Sequence, residues 1–238
     1  MSLRSFLPNC HRWAWLVVGF GFALAATRQL TQPLWDDPMI ALEIGGTYEN
    51  MREYSTAPFS RLIRGHVWGG MPKADARMRF VDVKYGFETP LARFFSVGFN
   101  DNVIFDVRMS PQVEPLLIGD AMKVVLDLQA QWCATGWKPM GLPRRPTMAD
   151  TPEWRIYLRH SVIPGISYWQ AGDKYQAMLV LARFRDSRHP DQERYLITLA
   201  VAEPWIPFDE IENLYEEPHP FPPPQPKQGA IPCQAQPS

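Results

Sequence analysis

The serine and histidine residues of this sequence do not form a recognisable catalytic motif. The segment nearest to a nucleophile elbow, G-x-S-x-G, begins at Gly165 and contains Ser167, but it lacks the second glycine. His160 and Ser161 lie a few residues upstream, yet a catalytic triad depends on positions in space that neighbours in sequence do not establish. We therefore interpret Ser167 as a serine of a strand or turn, and we assign no catalytic residue.

The residue spacings that would bind a metal or a phosphate are also absent from the sequence. The five histidines are His11, His66, His160, His189 and His219. No two of them lie within five residues of each other, and the zinc motif H-E-x-x-H does not occur. The glycine pairs Gly45-Gly46 and Gly69-Gly70 lack the lysine and hydroxyl residue of a phosphate-binding loop. The sequence predicts no metal ion and no cofactor.

Several carboxylates could form a catalytic pair across a cleft, as glycosidases use two of them for acid and base chemistry. The candidates considered for such a pair are Asp36, Asp37, Asp82, Glu88 and Asp106. Their spacing indicates no particular pairing, and we interpret each of them as a solvated surface residue.

One group of basic and aromatic residues could bind an anionic ligand or an acidic protein surface. It combines Arg144 and Arg145 with Arg155, Tyr157 and Arg159. The last three alternate with apolar residues, a period of two that predicts a strand with one polar face. If that strand is exposed, its basic face is a candidate binding surface; the alternative is an ordinary solvated strand face.

The second candidate binding region combines acids with aromatic residues near the C-terminus. Residues 203–238 contain six acids and one base. The candidate partner-binding residues are Trp205, Phe208, Asp209, Glu210, Glu212, Tyr215, Glu216 and Glu217. Aromatic anchors between acids suit a segment that fills a basic groove on another protein. The alternative is an amphipathic turn that packs on the chain's own sheet before a proline-rich tail.

The N-terminus has the layout of an export signal. Residues 1–12 contain two arginines and no acid, and residues 13–26 are apolar and include an A-x-A cleavage pattern at residues 23–25. The apolar run would span about 21 Å as a helix, less than the roughly 30 Å hydrocarbon core. We predict a signal peptide or membrane anchor over residues 1–26, which places the rest in the periplasm or on the periplasmic side of the inner membrane. The alternative is a buried helix of a cytosolic protein.

The three cysteines Cys10, Cys133 and Cys233 lie far apart and include no C-x-x-C pair. Cys10 precedes the apolar run, whereas the cysteine of a lipoprotein follows one, so we expect no lipid anchor. Cys133 lies in an apolar helical pattern and is interpreted as a small core residue. Cys133 and Cys233 could pair after export, but the sequence favours two unpaired cysteines.

The segments that position these residues predict an α+β domain between two biased ends. Residues 27–40 are interpreted as a linker, residues 41–203 as the globular domain, and residues 204–238 as an acidic and then proline-rich tail. Strands, one long helix and then further strands predict an antiparallel sheet, or sheets, with the helix packed on one face. The proline-broken loop 138–152 could divide the domain into two subdomains.

The clearest local pattern is a hairpin followed by a long helix. Apolar residues alternate over residues 95–99 and 103–109 around the polar turn 100–102, which predicts two paired strands. On the second arm the residues of the apolar face are Val103, Phe105, Val107 and Met109. The helix is predicted over residues 112–135, with Ser110 as its cap. The other strands are predicted at residues 62–68, 77–85, 154–159, 175–184 and 195–201, and a hairpin loop at 185–193.

These observations favour three classes of function, of which the first is our leading hypothesis. It is an exported, non-enzymatic protein of the bacterial envelope that binds another protein, such as an immunity protein that neutralises a toxin. The second is an envelope hydrolase with a dispersed active site, and the third is a structural component of a secretion or envelope assembly. The net charge of −1 argues against a nucleic-acid partner. We expect a protein partner, and membrane contact only through residues 13–30 if they are not cleaved.

Overall fold

The computed structural model of this protein describes residues 37–142, 145–205, 223–224 and Cys233. The expected export segment, Arg144, and the tail candidates from Phe208 to Glu217 lie outside the described residues. Within the described part of the chain, no helix is both long and apolar enough to cross a membrane.

The described chain contains ten strands and three helices. The strands are β1 (Met39–Leu42), β2 (Val67–Gly70), β3 (Arg77–Phe80), β4 (Phe87–Glu88), β5 (Phe95–Asn100), β6 (Val103–Met109), β7 (Lys138–Pro139), β8 (Gly165–Ala171), β9 (Tyr175–Phe184) and β10 (Arg194–Ala202). The helices are α1 (Tyr48–Tyr54), α2 (Ile118–Ala134) and α3 (Pro152–His160). The predicted positions of β9, β10 and the loop between them are confirmed.

The strands form one large and one small sheet. Seven strands pair in the order β2-β5-β6-β10-β9-β8-β7, and every pair in this large sheet is antiparallel. The small sheet has the order β1-β3-β4, with β1 parallel to β3. This arrangement confirms the predicted α+β fold built on an antiparallel sheet. Strands from both sides of residues 138–152 share the large sheet, since β6 pairs with β10.

Helices α2 and α3 lie on the same face of the large sheet. Trp132 of α2 packs on Trp169 of β8, with ring centroids 5.2 Å apart. Trp154 and Leu158 of α3 lie so close to Gly165 that a Cβ there would contact both side chains. Gly165 and Trp169 share one face of β8 because they lie an even number of residues apart. The prediction that a long helix packs on one face of the sheet is therefore confirmed.

The hairpin of β5 and β6 forms as predicted, but a bulge changes which residues of β6 face the core. The pairing shifts after Gly98, which lies opposite Asp106. A side chain at Gly98 would overlap the Asp106 carboxylate and the Phe105 ring, so only glycine fits beneath the bulge. As a result Ile104 is buried, whereas Val103 and Phe105, which were predicted to face the core, are exposed.

The long helix begins at Ile118 rather than at Gln112. Gln112 lies in a bent segment beside β10, where its side chain forms two hydrogen bonds with the strand backbone. Leu116 and Tyr195 exchange two backbone hydrogen bonds in the same segment. The predicted cap Ser110 instead donates to a carbonyl of β10. Because β6 pairs only with the second half of β10, this segment takes its place along the first half.

Helix α3 occupies the segment in which the alternation predicted a strand, so that prediction was wrong. Thr151 caps the helix by accepting a hydrogen bond from the amide of Trp154, and Pro152 occupies the first turn. Trp154, Tyr157 and Leu158 follow the three- and four-residue spacing of a helix, and all three are buried. A short run in which apolar and polar residues alternate fits the repeat of a strand and that of a helix, and the capping residues decide between the two structures.

Strand β8 follows α3 and was not predicted. Its residues alternate between buried and half-exposed positions along the whole strand. Ser167 is fully buried within it, and its Oγ accepts a hydrogen bond from Trp169 Nε1 at 3.2 Å. Ser167 therefore lies in a strand, one of the two positions that we expected for it.

Cys133 and Cys233 form a disulfide, so the prediction of two unpaired cysteines was wrong. Their Cα atoms lie 5.0 Å apart although 100 residues separate them in sequence. Spacing along the chain cannot show such a contact, because it depends on where the tail returns to the end of α2. The Cys233 Sγ also lies 3.8 Å from the carbonyl oxygen of Trp137.

An aromatic cluster lies beside this disulfide at the end of the sheet where β9 begins. Its rings are those of Phe80, Tyr85, Phe87, Trp132, Trp137 and Tyr175. Ring centroids within the cluster lie 5.0 to 6.3 Å apart, a spacing typical of favourable aromatic pairs. The cluster joins the small sheet, α2 and the large sheet into one core.

Asp82 lies beside the aromatic cluster and is buried, so its interpretation as a solvated residue was wrong. Its carboxylate accepts hydrogen bonds from the amides of Lys84 and Tyr85 and from the Tyr175 hydroxyl, and it pairs with Lys174 Nζ at 3.2 Å. Burial raises the pKa of Asp82, but the backbone hydrogen bonds together with those from Tyr175 and Lys174 outweigh burial and hold its pKa below the usual value. The charged carboxylate thus ties the turn after β3 to the start of β9.

Candidate functional site

A cleft with a volume of about 520 Å³ lies at the opposite end of the sheet, where β9 leads into the connection to β10. One wall is the loop after α3, residues 161–164, and the other is formed by the end of β9 and the connection 185–193. Sites that hold a small molecule or a few protein side chains have volumes of roughly 300–1,000 Å³. The cleft is therefore large enough to take part of a partner.

The lining of the cleft is partly apolar and partly open to water. Leu158 and Leu181 are buried at its base. Val162 at the entrance is 96% exposed, and Phe184 is 38% exposed. An apolar side chain as exposed as Val162 loses its contact with water when a partner covers it, which favours binding.

The lining of the cleft contains two arginines, Arg183 and Arg185, and two acids, Asp186 and Glu193, and Arg159 adds a third positive charge at the rim through its ion pair with Glu193. Arg159 Nε lies 2.9 Å from the Glu193 carboxylate, and Arg183 Nη2 lies 3.8 Å from the same carboxylate. Two guanidinium groups therefore share one acid. Arg185, which also lines the cleft, has no hydrogen bond or ion pair with any residue that the structure describes. These three arginines can receive further carboxylate groups.

The connection after β9 is held in place by a chain of ion pairs. Asp186 accepts hydrogen bonds from the amide and the side chain of Arg188, and its Oδ2 lies 3.0 Å from His189 Nδ1. Arg188 also pairs with Glu114 at 2.6 Å, and Glu114 pairs in turn with Arg93. The chain of contacts links the rim of the cleft to the segment before α2.

Two acids in this chain of contacts are stabilised in their charged forms. The hydrogen bond with His189 and those from Arg188 outweigh burial and hold the pKa of Asp186 far below its usual range. Hydrogen bonds from Arg188 and Arg93 likewise lower the pKa of Glu114. At neutral pH both acids are therefore charged, and the rim keeps its shape through ionic contacts.

The structure places three candidates of the predicted basic surface on a helix rather than on one strand face, and Arg144 lies outside the described residues. Tyr157 is 2% exposed and faces the core. Arg155 pairs with Asp150 at 2.6 Å and lies outside the cleft lining. Arg159 is the one member of the predicted strand face that reaches the cleft rim, through Glu193. The helical period of α3 separates residues that a strand would have placed side by side.

The acidic candidate region is described only at its beginning. Trp205 is 42% exposed, and its amide donates to Gln176 Oε1 at the start of β9. The other candidates of that region, from Phe208 to Glu217, lie outside the described residues. Their role in partner binding stays a prediction.

The sequence did not single out Val162, Arg183 or Arg185 as site residues. The sequence feature that could have identified them is the polar loop 185–193, which separates two strongly apolar strands and carries charges of both signs. Loops held by a rigid sheet are where binding residues concentrate. The partner of that loop, the segment after α3, could not be identified while α3 was interpreted as a strand.

Among the residues described, no three histidine, cysteine or carboxylate side chains cluster closely enough to hold a metal ion. Comparison of the chain with family models, with curated proteins and with solved structures found no match. What the protein does must therefore be inferred from its own geometry.

Proposed function

We propose that this protein is exported to the bacterial envelope and acts there by binding another protein, in the manner of an immunity protein that neutralises a toxin. The observation that carries the proposed location is the disulfide between Cys133 and Cys233. Disulfides form and persist in oxidising compartments such as the bacterial periplasm, and they are rare in the cytosol. The basic, apolar and A-x-A pattern of residues 1–26 supports the same location.

The cleft supports the binding part of the proposal. It combines an exposed apolar entrance at Val162 with a rim of arginines and Glu193. Protein interfaces typically join apolar contacts at the centre with charged groups around them, and arginine is enriched among the residues that contribute most to affinity.

Native purification of the full chain from its own cells, with the intact mass of every component, tests the proposal. We expect a stoichiometric complex with one protein, in which Cys133 and Cys233 are linked. A reduced protein recovered alone from the cytosolic fraction would refute both the location and the binding function. Recovery within a large assembly of many components would favour a structural role instead.

One observation favours the hydrolase as a second candidate. Asp186 lines the cleft and lies within hydrogen-bond distance of His189, and a carboxylate that orients a histidine is part of many acid and base sites. A His189→Ala variant separates the two functions. Loss of a hydrolytic activity with unchanged partner binding would establish the enzyme, whereas the binding protein should show no activity that depends on this residue.

A further inference from the structure

We propose that the cleft binds an acidic segment of the partner protein, with an apolar side chain against Val162 and carboxylates on Arg185 and its neighbouring arginines. This inference rests on the proposed binding function and specifies the chemistry of the partner. It follows from the charge balance of the rim and from the exposure of the entrance.

The charge balance decides which partner fits. Arg159 and Arg183 share the single carboxylate of Glu193, and Arg185 is unpaired among the described residues. The other acid of the lining, Asp186, already accepts hydrogen bonds from Arg188 and a contact from His189. The cleft therefore has free guanidinium donors and no free carboxylate, which suits an acidic partner and disfavours a basic one.

The apolar contacts decide the form of the partner. Val162 lies on the loop wall and is exposed, whereas Arg183 and Arg185 belong to the other wall of the cleft. A free anion such as phosphate would use the arginines but leave Val162 in water. An extended peptide in which apolar and acidic residues alternate can place its apolar side chains toward the loop wall and its carboxylates toward the arginines, since its successive side chains point to opposite sides.

The test uses the purified full chain and two labelled, blocked octapeptides. One alternates leucine with glutamate, and the other alternates leucine with glutamine. We expect saturable binding of the glutamate peptide by fluorescence anisotropy, weaker binding at high salt, and at least threefold weaker binding of the glutamine peptide. Equal affinity for the two peptides, or no saturable binding of either, would overturn the inference.

Two variants locate the binding without disturbing the fold. Arg185→Glu removes no contact to a described residue, and Val162→Asp alters a side chain that is almost fully exposed. Each substitution should weaken the binding of the glutamate peptide about threefold to tenfold, because it places a negative charge against the peptide carboxylates. Arg61→Glu, at an exposed position before β2, makes the same charge change elsewhere and should leave the affinity unchanged. If Arg61→Glu weakens binding as much as Arg185→Glu does, the cleft is not the site.

A third variant tests whether the chain's own acidic region, rather than a partner protein, occupies the cleft. Replacing Asp209, Glu210 and Glu212 with the corresponding amides should not change the affinity for the glutamate peptide. Tighter binding after this change would mean that the region competes for the cleft, and the assignment to a partner would be wrong.

Native purification separates the failure of this inference from failure of the proposed function. A partner that is recovered equally well with wild type and with Arg185→Glu would retain the binding function and reject the cleft. If no partner is recovered even with wild type, the function itself fails.

Discussion

The two ends of the β9–β10 hairpin are held by different interactions. Where β9 begins, an aromatic cluster, a disulfide and the buried Asp82 close the end of the sheet against water. Where β9 ends, most of the connection to β10 is exposed, and it is held by ion pairs that exposed arginines form with the buried Asp186 and with Glu193. We call these the closed end and the open end.

This difference suggests that the two ends serve different purposes. Apolar burial and a covalent bond stabilise a structure strongly but leave few groups available to a partner. Exposed ion pairs contribute little to stability, yet they keep charged side chains at the surface in defined positions. We infer that the closed end supplies most of the stability and that the open end supplies the binding surface.

The largest effect is expected at the disulfide of the closed end. Replacing Cys133 with serine should lower the free energy of unfolding by about 4–5 kcal/mol, because the bond closes a long loop in the unfolded chain. Denaturant unfolding of the variant and of wild type measures the change. A reductant should destabilise wild type to the same extent and leave the variant unaffected. If reduction does not change the unfolding midpoint of wild type, the disulfide is not the main support of this end.

A smaller loss is expected when the buried acid of the closed end is removed. Asp82→Ala leaves the Tyr175 hydroxyl and the amides of Lys84 and Tyr85 without their acceptor, at a cost of about 2–3 kcal/mol. Thermal unfolding checks this value. Asp173→Ala, at an exposed position in the turn between β8 and β9, is the matched control and should have almost no effect. Similar losses in the two variants would show that burial of Asp82 is unimportant.

Acid should weaken the ionic contacts of the open end. The folded-state pKa of Asp186 is lowered, so its contribution to stability is present above its usual pKa of about 4 and is lost as pH falls below that value. The melting temperature of wild type should therefore fall more steeply from pH 4 to pH 2 than that of Asp186→Asn. Parallel pH profiles for the two proteins would contradict this account.

The smallest effect on stability is expected at Arg185. Because it has no partner among the described residues, Arg185→Glu should change the free energy of unfolding by less than about 0.5 kcal/mol, although it should weaken peptide binding. The same unfolding experiment measures it. A loss above 1 kcal/mol, comparable to that of a core substitution, would mean that the open end also supports the fold and that the comparison fails.

Much of the sheet could be predicted from the sequence, because its strands repeat with a clear period. The buried residues of β10 alternate without interruption from Tyr195 to Val201, and the hairpin of β5 and β6 has a recognisable turn. The bulge after Gly98 could not be predicted. One extra residue in β6 exchanges the residues that face the core for those that face water, while the pattern of residue types stays the same. The start of α2 at Ile118 could not be predicted either. It depends on the first half of β10 having no β6 partner, which is a feature of the assembled sheet.

The candidate site was harder to predict than the fold. Its residues come from the segment after α3 and from the end of β9, which sequence alone does not bring together. The incorrect strand at residues 154–159 placed Tyr157 beside Arg155 and Arg159, whereas the helix buries it on the opposite side. Residues that share a site through tertiary contacts leave no spacing pattern in a single sequence.

On the proposal that the chain is exported, the disulfide also bears on the order of events as the chain crosses a membrane from its N-terminus. Cys133 would emerge well before Cys233, and β8, β9 and β10 all lie between the two cysteines. The bond therefore cannot close until every strand of the large sheet has emerged. During that interval the Cys133 thiol is open to mispairing with other proteins. A dedicated oxidant would then have to act on Cys133 and Cys233 late, after the last strand of the described sheet has emerged.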